Sequence, residues 1–133
     1  MKVPHKVVGA AVILNAKNQI LIAQRNPEKG MLAGLWEFPG GKQEPGETLE
    51  ACLQREIREE LGVAVVVGRR LVSVAHAYTH FRITIHAFEC RYRGGRLRPL
   101  GVDAFRWILP GELNAFAFPA AVTTRETRSR SPL

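Results

Sequence analysis

Apolar residues recur at every fourth position along one stretch of the chain (Leu49, Leu53, Ile57, Leu61), and neither Gly nor Pro interrupts residues 48–61. That period predicts an amphipathic helix, with Thr48 as its N-cap and Gly62 as a left-handed residue just past its end. Elsewhere the pattern is that of strands. Residues 7–14 and 19–24 are apolar runs separated by Asn15-Ala16-Lys17-Asn18, which reads as a β-hairpin. Residues 26–34, marked by Pro27, Gly30 and Gly34, form a loop, and residues 35–38 a short strand. Residues 63–67 and 71–77 are β-branched and apolar. In residues 81–91, Phe81, Ile83, Ile85 and Ala87 alternate with Arg82, Thr84, His86 and Phe88. A turn at Gly94-Gly95 leads to a strand over residues 104–109, and Pro110 opens a short turn or helix. With no internal repeat, strands arranged about one long helix predict an α/β sandwich around a mixed β-sheet.

The polar positions of the helix carry the chemistry. At about 100° per residue, Glu56 and Glu60 project close to the direction of Leu49, and Glu59 lies beside Cys52. Carboxylates crowded along a buried stripe raise one another's pKa values unless a cation neutralises them. Oxygen-only ligands suit Mg²⁺, with Mn²⁺ as an alternative. A purely solvated face, in which Arg55 and Arg58 pair with Glu59 or Glu47, is the competing reading. Spacing decides against it. Gly41 is followed after five residues by Glu47, and after seven more by Arg55-Glu56-Ile57-Arg58-Glu59-Glu60-Leu61-Gly62-Val63. Phe38-Pro39-Gly40-Gly41-Lys42 leads directly into the run.

This run resembles the full Nudix box, and residues 6–122 as a whole resemble MutT-type Nudix hydrolases. Gln24-Arg25, the stretch from Leu35 to Lys42, residues 80–88 and Phe118-Pro119-Ala120-Ala121 share in the likeness. The resemblance implies the Nudix α/β/α sandwich and metal-dependent hydrolysis of a nucleoside triphosphate, such as 8-oxo-dGTP, to monophosphate and pyrophosphate. It implies that Glu56, Glu59 and Glu60 bind the metal with the Gly41 carbonyl, and that Glu56 is the first choice as general base. Glu59 and, from ahead of the late strand, Asp103 are further catalytic candidates. Arg25 and Phe38 are expected to hold the nucleotide, and Arg55 to orient Glu47 through an ion pair. MutT-type proteins place an Asn where this chain has Val122, and Val122 offers no donor or acceptor to a base. A site that loses such a hydrogen bond loses discrimination, since apolar contacts separate substrates by only about 10–200-fold. Related enzymes of other (deoxy)nucleotide derivatives are therefore an alternative, as is a non-catalytic reader of oxidised guanine in DNA. Against that reader stands the complete set of box carboxylates.

Composition narrows the setting. At 133 residues the chain is expected to be one domain, with residues 1–122 as the Nudix unit. Residues 123–133 contain no apolar side chain before Leu133 and read as a disordered or atypical tail. Two cysteines, Cys52 and Cys90, suit free thiols in a reducing cytoplasm. The apolar run behind Lys2 and Lys6 reads as a strand rather than a signal peptide, and no run is long enough to span a membrane. The net charge is +7, yet residues 37–60 carry seven acids and three bases. An acidic patch inside a basic shell suits a polyanionic small substrate held through metal. The arginines at positions 91, 93, 96 and 98 read as a solvated hairpin tip rather than a nucleic-acid contact.

Overall fold

The computed structural model describes residues 3–25 and 34–116. Residues 26–33 of the loop expected at 26–34, the segment Phe118 to Val122 and the tail 123–133 lie outside the described residues. Seven strands form one mixed sheet: β1 (His5–Leu14), β2 (Ile20–Gln24), β3 (Trp36–Glu37), β4 (Gly40–Lys42), β5 (Val65–Ala77), β6 (Arg82–Tyr92) and β7 (Ala104–Ile108). Helix α1 (Leu49–Leu61) follows β4, and a 3₁₀ turn occupies Pro110–Ala115. The sheet runs β3-β2-β1-β6-β5, with β4 also on β1 and β7 also on β2. Among the described residues, only β1 and β6 run parallel. This is the α/β Nudix fold.

Each face of the sheet has its own core, because alternate residues of a strand point to opposite sides. Ala11, Ile13, Leu21, Ala23 and Cys90 pack with Leu53, Ile57 and Leu61 of α1. Ile20, Ile22 and Ile108 pack with Leu113, and Trp36, Phe38 and Phe116 flank them. The helix lies close to the sheet because Gly9 leaves room for it: a Cβ there would stand 3.1 Å from Leu53.

Three expectations about connectivity change. The hairpin of β1 and β2 is reduced to one paired position, Leu14↔Ile20. Asn15 Oδ1 accepts from the amides of Lys17 and Gln19 and turns the chain; further along the same edge β1 pairs with β4 at Val8, Gly9 and Ala10, and its other edge pairs with β6 along ten positions. The two stretches at 63–67 and 71–77 are one strand, β5, with irregular register between Val67 and Val72. Gly68 permits this bulge, since its Cα side faces the Glu89 carbonyl at 3.0 Å from where a Cβ would lie. The arginine-rich segment after β6 is not a hairpin tip. Strand β7 pairs with β2, and the connecting chain docks on the C-terminal turn of α1: Arg98 N–H donates to Leu61 O, while the Leu100 and Gly101 amides donate to Glu60 O. Carbonyls left over at a helix end are satisfied in this way.

Candidate active site

Helix α1 begins and ends as its caps dictate. Thr48 Oγ1 accepts from the Ala51 amide at 3.1 Å, and Gly62 takes φ 74° with its amide donating to Arg58 O. Packing of Leu53, Ile57 and Leu61 in the core fixes the rotation of the helix on the sheet, and so the direction of its acids. Glu56 is directed at β4: a Cβ on Gly41 would stand 1.9 Å from Glu56 Oε2. One turn further, Glu60 Oε1 lies 3.4 Å from the Gly40 amide. Glu59 points outward, with 59% of its side chain exposed against 16% for Glu56.

Arg55 sits at the centre of the acids. Its Nε donates to Glu47 Oε2 at 2.6 Å and its Nη2 to Glu47 Oε1 at 2.9 Å, a two-point carboxylate pair. Its Nη1 lies 3.4 Å from Glu59 and 3.6 Å from Glu56, and its Nη2 also donates to the Lys42 carbonyl. Glu47 in turn accepts from the Glu44 amide, and Gln43 Nε2 donates to the Glu47 carbonyl at 2.7 Å. The box loop is thus tied into one polar network.

The electrostatics divide the acids into two kinds. The hydrogen bonds from Arg55, then that from the Glu44 amide, hold Glu47 down at about 2. Glu56 is pushed up by burial, Arg55 partly opposing this and Glu59 adding to it. Glu47 is therefore a fixed anion and Glu56 a carboxyl whose charge is costly in the metal-free protein. Because the folded pKa of Glu47 is depressed, its stabilising contribution is present above about pH 4.3, the ordinary glutamate value, and is lost as pH falls through about 2. Replacing Glu47 by Gln is expected to flatten the acid limb of Tm against pH between about 4.5 and 2.5; an unchanged acid limb would count against the pairing.

The other predicted residues are placed as follows. Arg25 pairs with Glu37 at 3.6 Å, and its Nε, though buried, has no hydrogen-bond acceptor among the described residues. An unsatisfied guanidinium N–H at the end of β2 suits an anionic or carbonyl-bearing ligand. Phe38 packs at the margin of the second core. Asp103 is exposed at the start of β7, and its amide bonds to Gln24 O rather than to α1. The Gly41 carbonyl accepts from Cys52 Sγ at 3.5 Å. Strand β4 pairs Gly41 with Gly9, between bonds from Ala11 N to Pro39 O and from Gln43 N to Val7 O. The alternation of an antiparallel ladder makes Gly9 and Gly41 a bonded pair. The Cys52 thiol and β1 thus flank the Gly41 carbonyl, and the neighbouring Gly40 amide faces Glu60.

Among the described residues, no three His, Cys, Asp or Glu side chains are gathered closely enough to hold a metal ion. Arg55 draws Glu47 and Glu59 to itself, and the remaining acids repel. The donor set still fits Mg²⁺ or Mn²⁺, which bind through one or two carboxylates and take water and phosphate oxygens for the rest. The elevated Glu56 carboxyl is a group that a cation would relieve. The contact of Gly41 with Glu56 and the role of Cys52 are new from the structure. The adjacent glycines were the only sign of the first, and nothing in the spacing signalled the second.

A helix carrying Glu56 and Glu60 against a two-glycine strand defines the class. Residues 9–124 match the model of the NUDIX domain. The chain belongs to this family and is a Nudix hydrolase, an enzyme of phosphoric anhydrides. It is 44% identical over 81 residues to an 8-oxo-dGTP diphosphatase of Proteus vulgaris, spanning 61% of this chain and 71% of that one. It is 39% identical over 111 residues to the CTP pyrophosphohydrolase of Escherichia coli, spanning 84% and 80%. The solution structure of the E. coli ORF135 protein superposes with a TM-score of 0.78 at 33% identity, over 94% of this chain and 88% of that one. A MutT protein from Methanosarcina mazei, at 24% identity, shares the fold with a TM-score of 0.84 over 98% and 99%. No helix among the described residues is long and apolar enough to cross a membrane.

Proposed function

We propose that the protein hydrolyses a nucleoside triphosphate to the monophosphate and pyrophosphate with Mg²⁺ or Mn²⁺, acting on oxidised nucleotides of the 8-oxo-dGTP kind. The observation that carries this reading is the placement of Glu56 and Glu60 on the Gly40-Gly41 backbone, with Arg55 fixing the loop between them. Glu56, Glu59 and Glu60 would hold the cation. When bound, it neutralises phosphate charge and lowers the pKa of the attacking water. Glu56, the carboxylate set against Gly41, takes the proton of that water. Arg25 binds the nucleotide from the end of β2. The reaction belongs to the cytoplasm and needs no nucleic-acid partner.

A second substrate reading rests on the CTP pyrophosphohydrolase relative, which matches most of this chain. Val122 is compatible with it, because it offers an oxidised purine no hydrogen bond. The two readings separate in a panel of kcat/KM values for 8-oxo-dGTP, dGTP, CTP and dCTP, measured for wild type and Val122→Asn. Preference for 8-oxo-dGTP that sharpens by about 10-fold or more on substitution supports the first; preference for CTP throughout supports the second. In either case Glu59→Gln is expected to lower metal-dependent pyrophosphate release about 10²-fold with circular dichroism unchanged. A wild-type rate in that variant would overturn the assignment of the box.

A further inference from the structure

We propose that Cys52 and Arg55 form a clamp that holds strand β4 in place beneath the box carboxylates, with Cys52 as a positioning residue for the reaction. This rests on the hydrolase reading above and adds a residue to its site. Strand β4 has three residues, paired with Val8, Gly9 and Ala10 of β1, with one backbone bond beyond each end, from Gln43 N to Val7 O and from Ala11 N to Pro39 O. So short a strand has little of its own to keep it in register, yet Gly40 and Gly41 set where Glu60 and Glu56 stand.

The helix supplies the missing restraint from two side chains three residues apart, which share a face. Cys52 Sγ donates to the Gly41 carbonyl at 3.5 Å. Arg55 Nη2 donates to the next carbonyl, that of Lys42, at 3.2 Å. The two side chains also touch, Nη2 to Sγ at 3.9 Å. The clamp thus holds two successive carbonyls of β4 from the helix. Cys52 is wholly buried, and its thiol finds a backbone acceptor at the one strand that the carboxylates rest on.

Cys90 provides the matched comparison. It is equally buried, and its Sγ also meets a carbonyl, that of Phe88 at 3.7 Å, but within its own strand β6. Cys52→Ala and Cys90→Ala therefore each remove one buried thiol, and only the first releases β4. The expected result for Cys52→Ala is a kcat lowered about 5–10-fold and a divalent cation requirement raised about 3–10-fold, with KM within about two-fold. Cys90→Ala is expected to keep all three within about two-fold of wild type while losing at least as much thermal stability. An activity-independent readout keeps the clamp separate from the hydrolase reading. In ¹⁵N and ¹³C spectra, the Gly41 carbonyl shift and the exchange rate of the Gln43 amide, which bonds to Val7 O, should change in Cys52→Ala and not in Cys90→Ala. If the two variants match in both the spectra and the kinetics, the clamp is wrong. If the spectra separate them but wild type turns over no triphosphate, the clamp stands and the substrate reading falls.

Discussion

Glu56→Gln is expected to lower kcat by about 10³-fold and at the same time to raise the thermal stability of the metal-free protein at neutral pH. The first effect follows from removing the proton acceptor and a cation ligand in one change; general-base contributions alone are about 10²–10⁴-fold. The second follows from the sign of the pKa shift. Burial raises the carboxyl above its ordinary value, with Glu59 adding to the effect against Arg55. A carboxyl whose folded pKa is raised contributes stability that is fully present below the unfolded value, about 4.3, and is lost as pH rises through the folded value. At neutral pH the ionised Glu56 is therefore a cost that glutamine, of the same shape and uncharged, removes. Melting curves in EDTA at pH 4 and pH 7 check this: the variant should exceed wild type at pH 7 and converge with it at pH 4. Added Mg²⁺ should raise the Tm of wild type more than that of the variant, since ligand bound only to the native state stabilises by mass action. A Glu56→Gln protein less stable than wild type at pH 7 would mean that the carboxylate is held by its neighbours rather than strained. Activity and stability are expected to move in opposite directions, as they do where a site is built at the expense of the fold.

How far this site could be read from the chain depended on the range of each interaction. Helix α1, its Thr48 cap and its Gly62 terminus follow from local periodicity and cap chemistry, and the pair Arg55–Glu47 links charges only eight residues apart, from the loop before α1 to its second turn. What joins distant segments had no such signal. The parallel pairing of β1 with β6 spans more than seventy residues, and the hairpin suggested by Asn15–Asn18 is present but short, because β4 takes the same edge of β1 beyond it. Strand β7 returns to β2 instead of β6 because the chain between them is taken up by the carbonyls at the end of α1. Likewise, the apolar period of β5 breaks at Gly68-Arg69-Arg70, which reads as a loop; only the partner strand shows it to be a bulge. Within the site, the carboxylates could be named but not their contacts. The direction of Glu56 is set by the absence of a side chain on Gly41, and the absence of an atom has meaning only once its neighbours are placed.

That dependence yields the sharpest separation between adjacent residues. Gly40→Ala and Gly41→Ala are each the addition of one methyl group, one residue apart on β4, and they are expected to fail in different ways. Gly40 has φ 150°, and a Cβ there would lie 2.0 Å from the Gly9 carbonyl oxygen and 3.1 Å from Ala10 Cα. Both obstacles are backbone of the paired strand and neither can turn aside. Backbone strain and overpacking together are expected to cost at least about 2 kcal/mol, or roughly 5–15 °C in Tm for a domain of this size. Gly41 is outside the left-handed region, and what its Cβ would meet is Glu56 Oε2 at 1.9 Å and Cδ at 2.4 Å. That is the far end of a flexible side chain, which can swing clear at little cost to folding. Doing so takes the carboxylate out of the site, and a displacement of about 1 Å in a reacting group can cost about 10²-fold in rate. Gly41→Ala is thus expected to melt within a few degrees of wild type while losing about 10²-fold or more in kcat, and Gly40→Ala to be the less stable of the two by a wide margin. Paired melting curves and steady-state rates on the two variants decide the matter. A Gly41→Ala enzyme with wild-type kcat would show that Glu56 does not need the position it holds against β4, and would remove it from the role of base.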